Sequence, residues 1–147
     1  MALTTIGITS RIDAITKISA AHLGTIIPPP RSVKIELTAT CNYACKFCVK
    51  SIRKDNGHMD RALYSRIIRE LRECGVEELG VFYIGESFTC PWLPGAIKEA
   101  KDIGFPYVFL TTNGAASTPN KIRACMEAGL DSLKFSLNFA DEQQLAD

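Results

Sequence analysis

Short apolar segments recur from residue 32 onward, and turn-forming residues separate them. Apolar side chains stand at every second position or in unbroken runs, which is typical of β-strands. The strands predicted on this basis are Ser32–Thr38, Leu79–Ile84, Tyr107–Thr111 and Leu133–Leu137. In the first and last strands apolar and polar residues alternate, so one face is expected to pack under helices. The polar face is expected to line the lumen of an open barrel that holds a ligand, and an edge strand with one wet face is the alternative.

Segments before, between and after these strands have the residue patterns of helices, chiefly apolar residues at three- and four-residue spacing. The predicted helices are residues 6–23, Asp60–Cys74, Trp92–Ile103, Thr118 or Asn120 to Met126, and a last helix that begins at Asp141. Strands that alternate with helices predict an α/β fold, in which βα units surround a parallel sheet. A run of three prolines at residues 28–30 follows the first helix. We therefore divide the chain into an N-terminal extension, residues 1–31, and a core domain, residues 32–147.

The composition is that of one compact domain with a hydrophobic core. The chain has 147 residues, of which 46% are hydrophobic, and a formal net charge of +1. A nearly neutral chain creates no global field that attracts nucleic acid or an anionic membrane. No apolar run is long enough to span a bilayer, and no secretory signal is visible. Clustered thiols in such a chain indicate metal ligands in a reducing compartment, so we predict a cytoplasmic protein. A mitochondrial transit peptide in residues 1–27 is the less favoured alternative.

Three of the six cysteines lie within eight residues, directly after the first predicted strand. Cys41, Cys45 and Cys48 stand at positions i, i+4 and i+7, so one loop carries three thiols. Three thiolates can bind three irons of a [4Fe–4S] cluster and leave the fourth iron open for chemistry. A zinc site formed by these cysteines and His58 is the alternative, although zinc sites usually pair their thiols at two separate turns.

The other three cysteines are scattered along the chain. Cys74 and Cys125 lie on predicted helices and are expected to pack as small hydrophobic side chains. Cys90 lies in the loop after the second predicted strand, where an ordinary loop thiol is favoured over a thiol that contacts substrate. None of the three is predicted to bind metal.

Polar residues follow the ends of the other predicted strands. Gly85-Glu86-Ser87 follows the second strand, Asn113 follows the third, and Ser136 and Asn138 lie at the end of the fourth. The carboxyl ends of parallel strands meet at one edge of a sheet, and in α/β barrels this edge carries the chemistry. We therefore expect these residues to form one site. Ordinary turns between strand and helix are the alternative for each segment taken alone.

Taken in order, these segments resemble the radical S-adenosylmethionine (SAM) superfamily. The cysteine spacing, with Phe47 before the last cysteine, is similar to the cluster motif of that family. Residues 84–87 resemble its Gly-Gly-Glu-Pro motif, with Ile84 in place of the first glycine and Ser87 in place of the proline. The chain is most similar to the branch that often carries a C-terminal SPASM-type domain with auxiliary clusters. The resemblance covers residues 32–138 and implies a partial parallel (β/α) barrel, with four of the six βα units of the family core.

The resemblance also implies a set of site residues. Cys41, Cys45 and Cys48 would hold the catalytic [4Fe–4S] cluster. Contacts to S-adenosyl-L-methionine are implied for Phe47, Gly85, Glu86, Ser87, Asn113, Ser136 and Asn138. Asn138 stands where the family frequently has an aspartate.

The activity implied by the resemblance is reductive cleavage of SAM to a 5′-deoxyadenosyl radical, which abstracts hydrogen from a substrate. The implied partners are an electron donor, such as a flavodoxin or ferredoxin, and an unidentified substrate, with a peptide or small metabolite slightly favoured. Because only four strands are predicted and the sequence stops inside a predicted helix, we expect a piece of a longer enzyme that turns over no native substrate alone. Two alternatives remain: an iron–sulfur electron-transfer or redox-sensing module without SAM chemistry, and a zinc-stabilised binding module.

Overall fold

The computed structural model of the chain describes residues 28–54 and 56–138, together with Ser10 and Gly24. Apart from Ser10, the helix predicted over residues 6–23 lies outside the described residues, as does the helix predicted from Asp141. Within the described ranges, no helix is both long enough and apolar enough to cross a membrane.

Four parallel strands form one sheet in the described part of the chain. They are β1 (Ser32–Lys34), β2 (Glu78–Gly80), β3 (Tyr107–Thr112) and β4 (Ser132–Phe135). The strands lie side by side in the order of the sequence. Leu79 of β2 pairs with Val33 on one side and with Val108 on the other, so apolar residues of neighbouring strands are in register. The predicted parallel sheet is confirmed.

Both β1 and β2 are shorter than predicted because the chain leaves the sheet early. Pairing continues one residue past β1, through a 2.7 Å bond from the Ile35 N–H to the Gly80 carbonyl. Thr38 then forms an antiparallel bridge with His58 instead of pairing with β2. The side-chain period detects extended backbone but not the partner of that backbone, so the predicted strand end at Thr38 was wrong.

Three α-helices connect the strands, and each lies within two residues of its predicted bounds. They are α1 (Arg61–Glu73), α2 (Leu93–Asp102) and α3 (Pro119–Glu127). The Asp60 carboxylate caps α1 by accepting a 2.8 Å bond from the Leu63 N–H. Thr118, rather than Asn120, caps α3. Two short 3₁₀ helices, Val49–Ile52 and Ser87–Thr89, lie in loops after β1 and β2.

The hydrophobic core lies between one face of the sheet and the helices. Burial alternates along β3, where Val108, Leu110 and Thr112 are buried and the residues between them are half-buried. Leu79 of the sheet, Ile68 of α1 and Ile97 of α2 are completely buried. The expected packing of apolar strand positions under helices is therefore observed around the middle of the sheet.

The apolar side chains at the end of the fourth strand and the Cys74 thiol were expected to be buried, and both expectations were wrong. Leu137 is 82% exposed and Phe135 is 46% exposed. In the described part of the chain β4 pairs with β3 alone, and no helix follows it to cover these side chains. Cys74 is exposed because it ends α1 instead of lying on its buried face. Cys125 of α3 and Cys90 are buried, so Cys125 packs as expected.

The opposite face of the sheet carries aromatic and charged side chains. The Lys34 ammonium lies 5.2 Å from the centroid of the Phe82 ring. The Phe82 and Phe109 rings meet edge to face, with centroids 5.6 Å apart. This face is aromatic as well as polar, which the alternation in the first and last strands alone did not predict.

Candidate active site

The three clustered cysteines lie in one loop directly after the extended segment that follows β1. The Cys48 N–H donates to the Cys45 carbonyl at 3.0 Å, which closes a turn between the second and third cysteine. Two of the sulfurs accept backbone hydrogen bonds, Cys41 from the Tyr43 N–H at 3.5 Å and Cys48 from the Lys50 N–H at 3.4 Å. Such donors stabilise thiolates and tune iron–sulfur clusters, so this loop fits the chemistry of a cluster ligand set.

His58 does not share a single-ion site with these cysteines. Among the described residues, no three His, Cys, Asp or Glu side chains are arranged to bind one metal ion. In a [4Fe–4S] cluster each cysteine binds its own iron, so a cluster does not require such convergence. His58 Nδ1 instead lies 2.9 Å from the Thr38 hydroxyl. That hydroxyl donates to the Gly57 carbonyl, so the imidazole donates Nδ1–H to Thr38.

We call residues 84–87, in the loop after β2, the rim loop, and residues 41–48 the cysteine loop. The rim loop packs against the backbone of Thr38 and Thr40, just before the cysteine loop. The Glu86 N–H donates to the Thr40 carbonyl at 2.9 Å. A Cβ atom at Gly85 would overlap the carbonyl oxygen of Thr38. Only glycine allows the two backbone segments to lie this close together.

The Glu86 side chain points inward and joins the rim loop to the end of β3. It is 3% exposed. Its Oε1 accepts from the Thr112 hydroxyl at 2.7 Å and from the Phe88 N–H at 3.1 Å. Its Oε2 accepts from the Asn113 N–H at 2.8 Å. The carboxylate thus holds three donors of the chain and fixes the position of Asn113.

Asn113 bridges the end of β3 and the cysteine loop. Its amide Nδ2 donates to Asn42 Oδ1 at 3.0 Å and lies 3.8 Å from the Cys41 sulfur. Its Oδ1 accepts from the Ala115 N–H at 3.0 Å, which turns the chain away from the strand. The structure therefore brings together three of the predicted site segments at the carboxyl edge of the sheet.

The remaining predicted site residues lie in different surroundings. Ser87 is 2% exposed, and its hydroxyl donates to the Val81 carbonyl at 2.8 Å. Ser87 therefore anchors the end of the rim loop to the residue that follows β2. Phe47 is 66% exposed at the surface of the cysteine loop. Ser136 donates its N–H to the Thr112 carbonyl at 2.8 Å, and its hydroxyl donates to Asn138 Oδ1 at 3.3 Å. Both residues therefore lie at the same edge as Glu86.

Comparison with known proteins identifies the family. The family model described as the radical SAM superfamily matches residues 35–146, which is most of the chain. The chain belongs to the radical SAM superfamily. Members of this enzyme family use a [4Fe–4S] cluster and SAM, together with a reductant and a substrate.

A relative from Lacinutrix mariniflava is named S-adenosylmethionine-dependent nucleotide dehydratase. It is 32% identical to this radical SAM chain over 118 residues, and the alignment covers 76% of the chain and 24% of the relative. The chain therefore spans about a quarter of the length of that relative.

Two solved structures of BtrN share the fold. BtrN in complex with AdoMet and 2-DOIA superimposes with a TM-score of 0.68 at 23% identity, over 76% of this chain and 46% of BtrN. BtrN in an open conformation gives a TM-score of 0.66 at 22% identity, over 78% of this chain and 53% of BtrN. The parallel sheet with its helices therefore has the partial-barrel fold seen in BtrN, and the chain spans about half of BtrN.

Sequence reasoning missed Glu36 of this radical SAM domain. Its Oε1 accepts from the N–H groups of Ile84 and Gly85, and its Oε2 accepts from the Arg53 guanidinium at 2.7 Å. Burial raises the pKa of Glu36, but the hydrogen bonds from Arg53 and the two backbone N–H groups outweigh burial and hold the pKa below its ordinary value. The available signal was a carboxylate on the polar face of the first predicted strand, five residues before Cys41.

Proposed function

We propose that this chain supplies the cofactor-binding half of a radical SAM enzyme. In this proposal Cys41, Cys45 and Cys48 hold a [4Fe–4S] cluster, and SAM lies beside it along the carboxyl edge of the sheet. When bound, the two cofactors would supply a 5′-deoxyadenosyl radical for hydrogen abstraction from the substrate, with the electron coming from an external donor.

One connection carries the proposal. Glu86 of the rim loop holds the backbone of Asn113 at 2.8 Å, and the Asn113 amide reaches Cys41 of the cysteine loop. A ligand bound to the open iron of a cluster in the cysteine loop would therefore lie close to Asn113, which Glu86 of the rim loop holds in place. A module that only transfers electrons has no need of such a rim. The connection thus favours SAM chemistry over the redox-module and zinc-module alternatives.

Separate roles follow for the rim residues. The backbone carbonyls around Gly85 would bind the SAM amine, and the missing side chain at Gly85 lets the rim loop lie directly against Thr38. Glu86 would act chiefly by placing Asn113 and the rim loop, because its oxygens already hold three donors of the chain. Ser136 and Asn138 would bind the ribose or carboxylate of SAM from the end of β4. Phe47 would pack beside the cluster, and Ser87 would support the loop from below.

The electron donor and the substrate are proposed by chemical class. A flavodoxin or ferredoxin would supply the electron in a cytoplasmic setting. A nucleotide is the first small metabolite to test as substrate, because the relative from Lacinutrix mariniflava is named for a nucleotide. The face formed by Lys34, Phe82 and Phe109 suits such a ligand, since aromatic rings stack with bases and an ammonium pairs with phosphate.

SAM cleavage without substrate tests the proposal. After anaerobic reconstitution with iron and sulfide, reduction with dithionite in the presence of SAM is expected to produce 5′-deoxyadenosine and methionine. Cys45→Ala is expected to abolish the product. Cys74→Ala is the matched control, because Cys74 is exposed at the end of α1 and outside the site. Intact SAM in the reconstituted wild-type protein, or equal cleavage by Cys45→Ala, would contradict the proposal.

A further inference from the structure

We propose that Glu36 is a positioning residue that sets the backbone of the rim loop for SAM binding. The functional part of this inference rests on the function proposed above. Glu36 lies on the strand side of the cysteine loop and touches neither the cysteines nor Glu86 through any of its three described hydrogen bonds. Its role is therefore distinct from that of the predicted ligands.

The Glu36 carboxylate holds two consecutive N–H groups of the rim loop. Its Oε1 lies 3.0 Å from the Ile84 nitrogen and 2.8 Å from the Gly85 nitrogen. The next N–H along the chain, that of Glu86, is held by the Thr40 carbonyl at 2.9 Å. Three successive peptide units are thus fixed from one side by the segment that joins β1 to the cysteine loop.

Fixing these N–H groups also aims the carbonyl groups of the same peptides. The described residues contain no cis peptide bond, and in a trans peptide the N–H and C=O point in opposite directions. The carbonyls of Tyr83, Ile84 and Gly85 therefore point away from Glu36 and Thr40. Aligned carbonyl oxygens are suited to accept hydrogen bonds from the N–H groups of an amine, such as the amine of SAM.

We call the two hydrogen bonds from the rim-loop amides to Glu36 the Glu36 clamp. The clamp explains how the rim loop keeps its shape although it lacks two residues of the family motif. Ile84 stands where the family has glycine and Ser87 where it has proline. Proline would restrict the backbone by its ring. Here the Ser87 hydroxyl anchors the end of the loop to Val81, and Glu36 anchors its beginning.

Arg53 pairs with the second oxygen of Glu36 and so connects it to the segment after the cysteine loop. Its guanidinium lies 2.7 Å from Glu36 Oε2, and both side chains are largely shielded from solvent, at 28% and 19% exposure. Arg53 follows Cys48 by five residues, just after the 3₁₀ helix Val49–Ile52. One carboxylate therefore joins the segment that follows the cysteines to the loop proposed to bind SAM, and it orders both at once.

Hydrogen exchange tests the positioning without any cofactor. In the full chain, Glu36→Ala is expected to speed exchange in a peptide covering residues 83–89 by at least about tenfold, because charge-assisted bonds to two amides are lost. Glu36→Gln keeps an oxygen toward both amides and is expected to stay within about threefold of wild type. Glu77→Gln is the matched control, since Glu77 pairs with Arg31 at 2.6 Å at the other end of the sheet.

The outcomes separate a local role from general loss of structure. Faster exchange in residues 83–89 alone supports the proposal, and unchanged exchange there in Glu36→Ala overturns it. If Glu36→Ala does not fold, Glu36→Asp replaces it. A carboxylate one methylene shorter stops short of the Ile84 and Gly85 amides, which cannot follow it as the flexible Arg53 side chain can, so fast exchange in residues 83–89 is again expected. Wild-type protection of that peptide in Glu36→Asp would overturn the proposal.

SAM affinity then tests the functional consequence. In reconstituted protein, Glu36→Ala is expected to raise the Kd for SAM by about tenfold or more at unchanged iron content per chain, and Glu36→Gln to restore binding. Equal SAM affinity in wild type and Glu36→Ala would overturn the role of Glu36 alone. A wild-type protein that binds no SAM would instead overturn the proposed function, while the exchange result on Glu36 stands by itself.

Discussion

The Thr112 hydroxyl donates a 2.7 Å hydrogen bond to the Glu86 carboxylate, and both side chains are buried at 3% exposure or less. The bond joins the end of β3 to the loop after β2, on the edge where the cysteine loop also lies. The same hydroxyl accepts from the Gly114 N–H at 3.0 Å, so it orders the turn after β3 as well. A single buried hydroxyl thus links two of the loops proposed to bind SAM.

Removal of this hydroxyl is expected to cost stability. Thr112→Val leaves the Glu86 carboxylate with one donor fewer in a buried site, and we expect the free energy of unfolding to fall by about 1.5–3 kcal/mol. Thr112→Ser keeps the hydroxyl and is expected to lose less. Urea denaturation of the three proteins measures the difference. A Thr112→Val protein as stable as wild type would show that the bond contributes nothing.

Substitution by alanine is expected to lower the stability of the fold at Gly85 and to raise it at Gly95. A Cβ at Gly85 would overlap the Thr38 carbonyl, so Gly85→Ala must push the rim loop away from the cysteine loop. A Cβ at Gly95, within α2, meets only the Arg61 side chain at 3.6 Å, an ordinary contact. Gly95→Ala is therefore expected to add up to about 1 kcal/mol of stability by helix propensity. Thermal unfolding measures both variants, and a stabilised Gly85→Ala would refute the described packing.

Acid is expected to weaken the Glu36 clamp. The pKa of Glu36 is lower in the folded chain than its ordinary value of 4.5, so its charged form stabilises the fold above that pH. This contribution is lost as the pH falls through the folded pKa. Glu36→Gln lacks the titrating group, so its stability difference from wild type should shrink below about pH 4.5. Urea midpoints from neutral to acid pH give the test, and a difference that is constant with pH would contradict it.

The cysteines outside the cluster loop are expected to differ in reactivity. Burial raises the pKa of the Cys125 thiol to about 11. Burial also raises the pKa of Cys90, although the Trp92 backbone and Arg61 oppose the rise. Because the thiolate is the reactive form, iodoacetamide at neutral pH should leave both unmodified and should label the exposed Cys74. Peptide mass spectrometry identifies the labelled sites, and rapid labelling of Cys125 would show that α3 does not pack as described.

The sequence was sufficient to predict the fold class and the order of the strands and helices. The period of apolar residues predicted four parallel strands and three connecting helices, because burial on one face imposes that period. The caps at Asp60 and Thr118 agree with simple capping chemistry. The shortened β1 could not be predicted, since the competing partner of Thr38 is His58, twenty residues away.

The detailed contacts of the site depend on long-range geometry. Glu86 and Asn113 were predicted as site residues from their positions after strands, but their mutual hydrogen bond spans 27 residues. Glu36 and Ile84 are 48 residues apart, and no local pattern connects them. Such pairs can be identified only from the folded structure, because the sheet brings together strand ends that are far apart in the sequence. The inward direction of Ser87 is likewise a consequence of packing, which short motifs do not encode.

Electron paramagnetic resonance of the reconstituted, reduced protein, recorded with and without SAM, tests the central claim most directly. We predict a [4Fe–4S]⁺ signal whose g-values change when SAM is added, because SAM would bind the iron that has no cysteine ligand. Cys45→Ala is expected to lose the signal, and Cys74→Ala to keep both the signal and its change. A wild-type cluster signal that is indifferent to SAM, or protein that binds zinc and no cluster, would contradict the account.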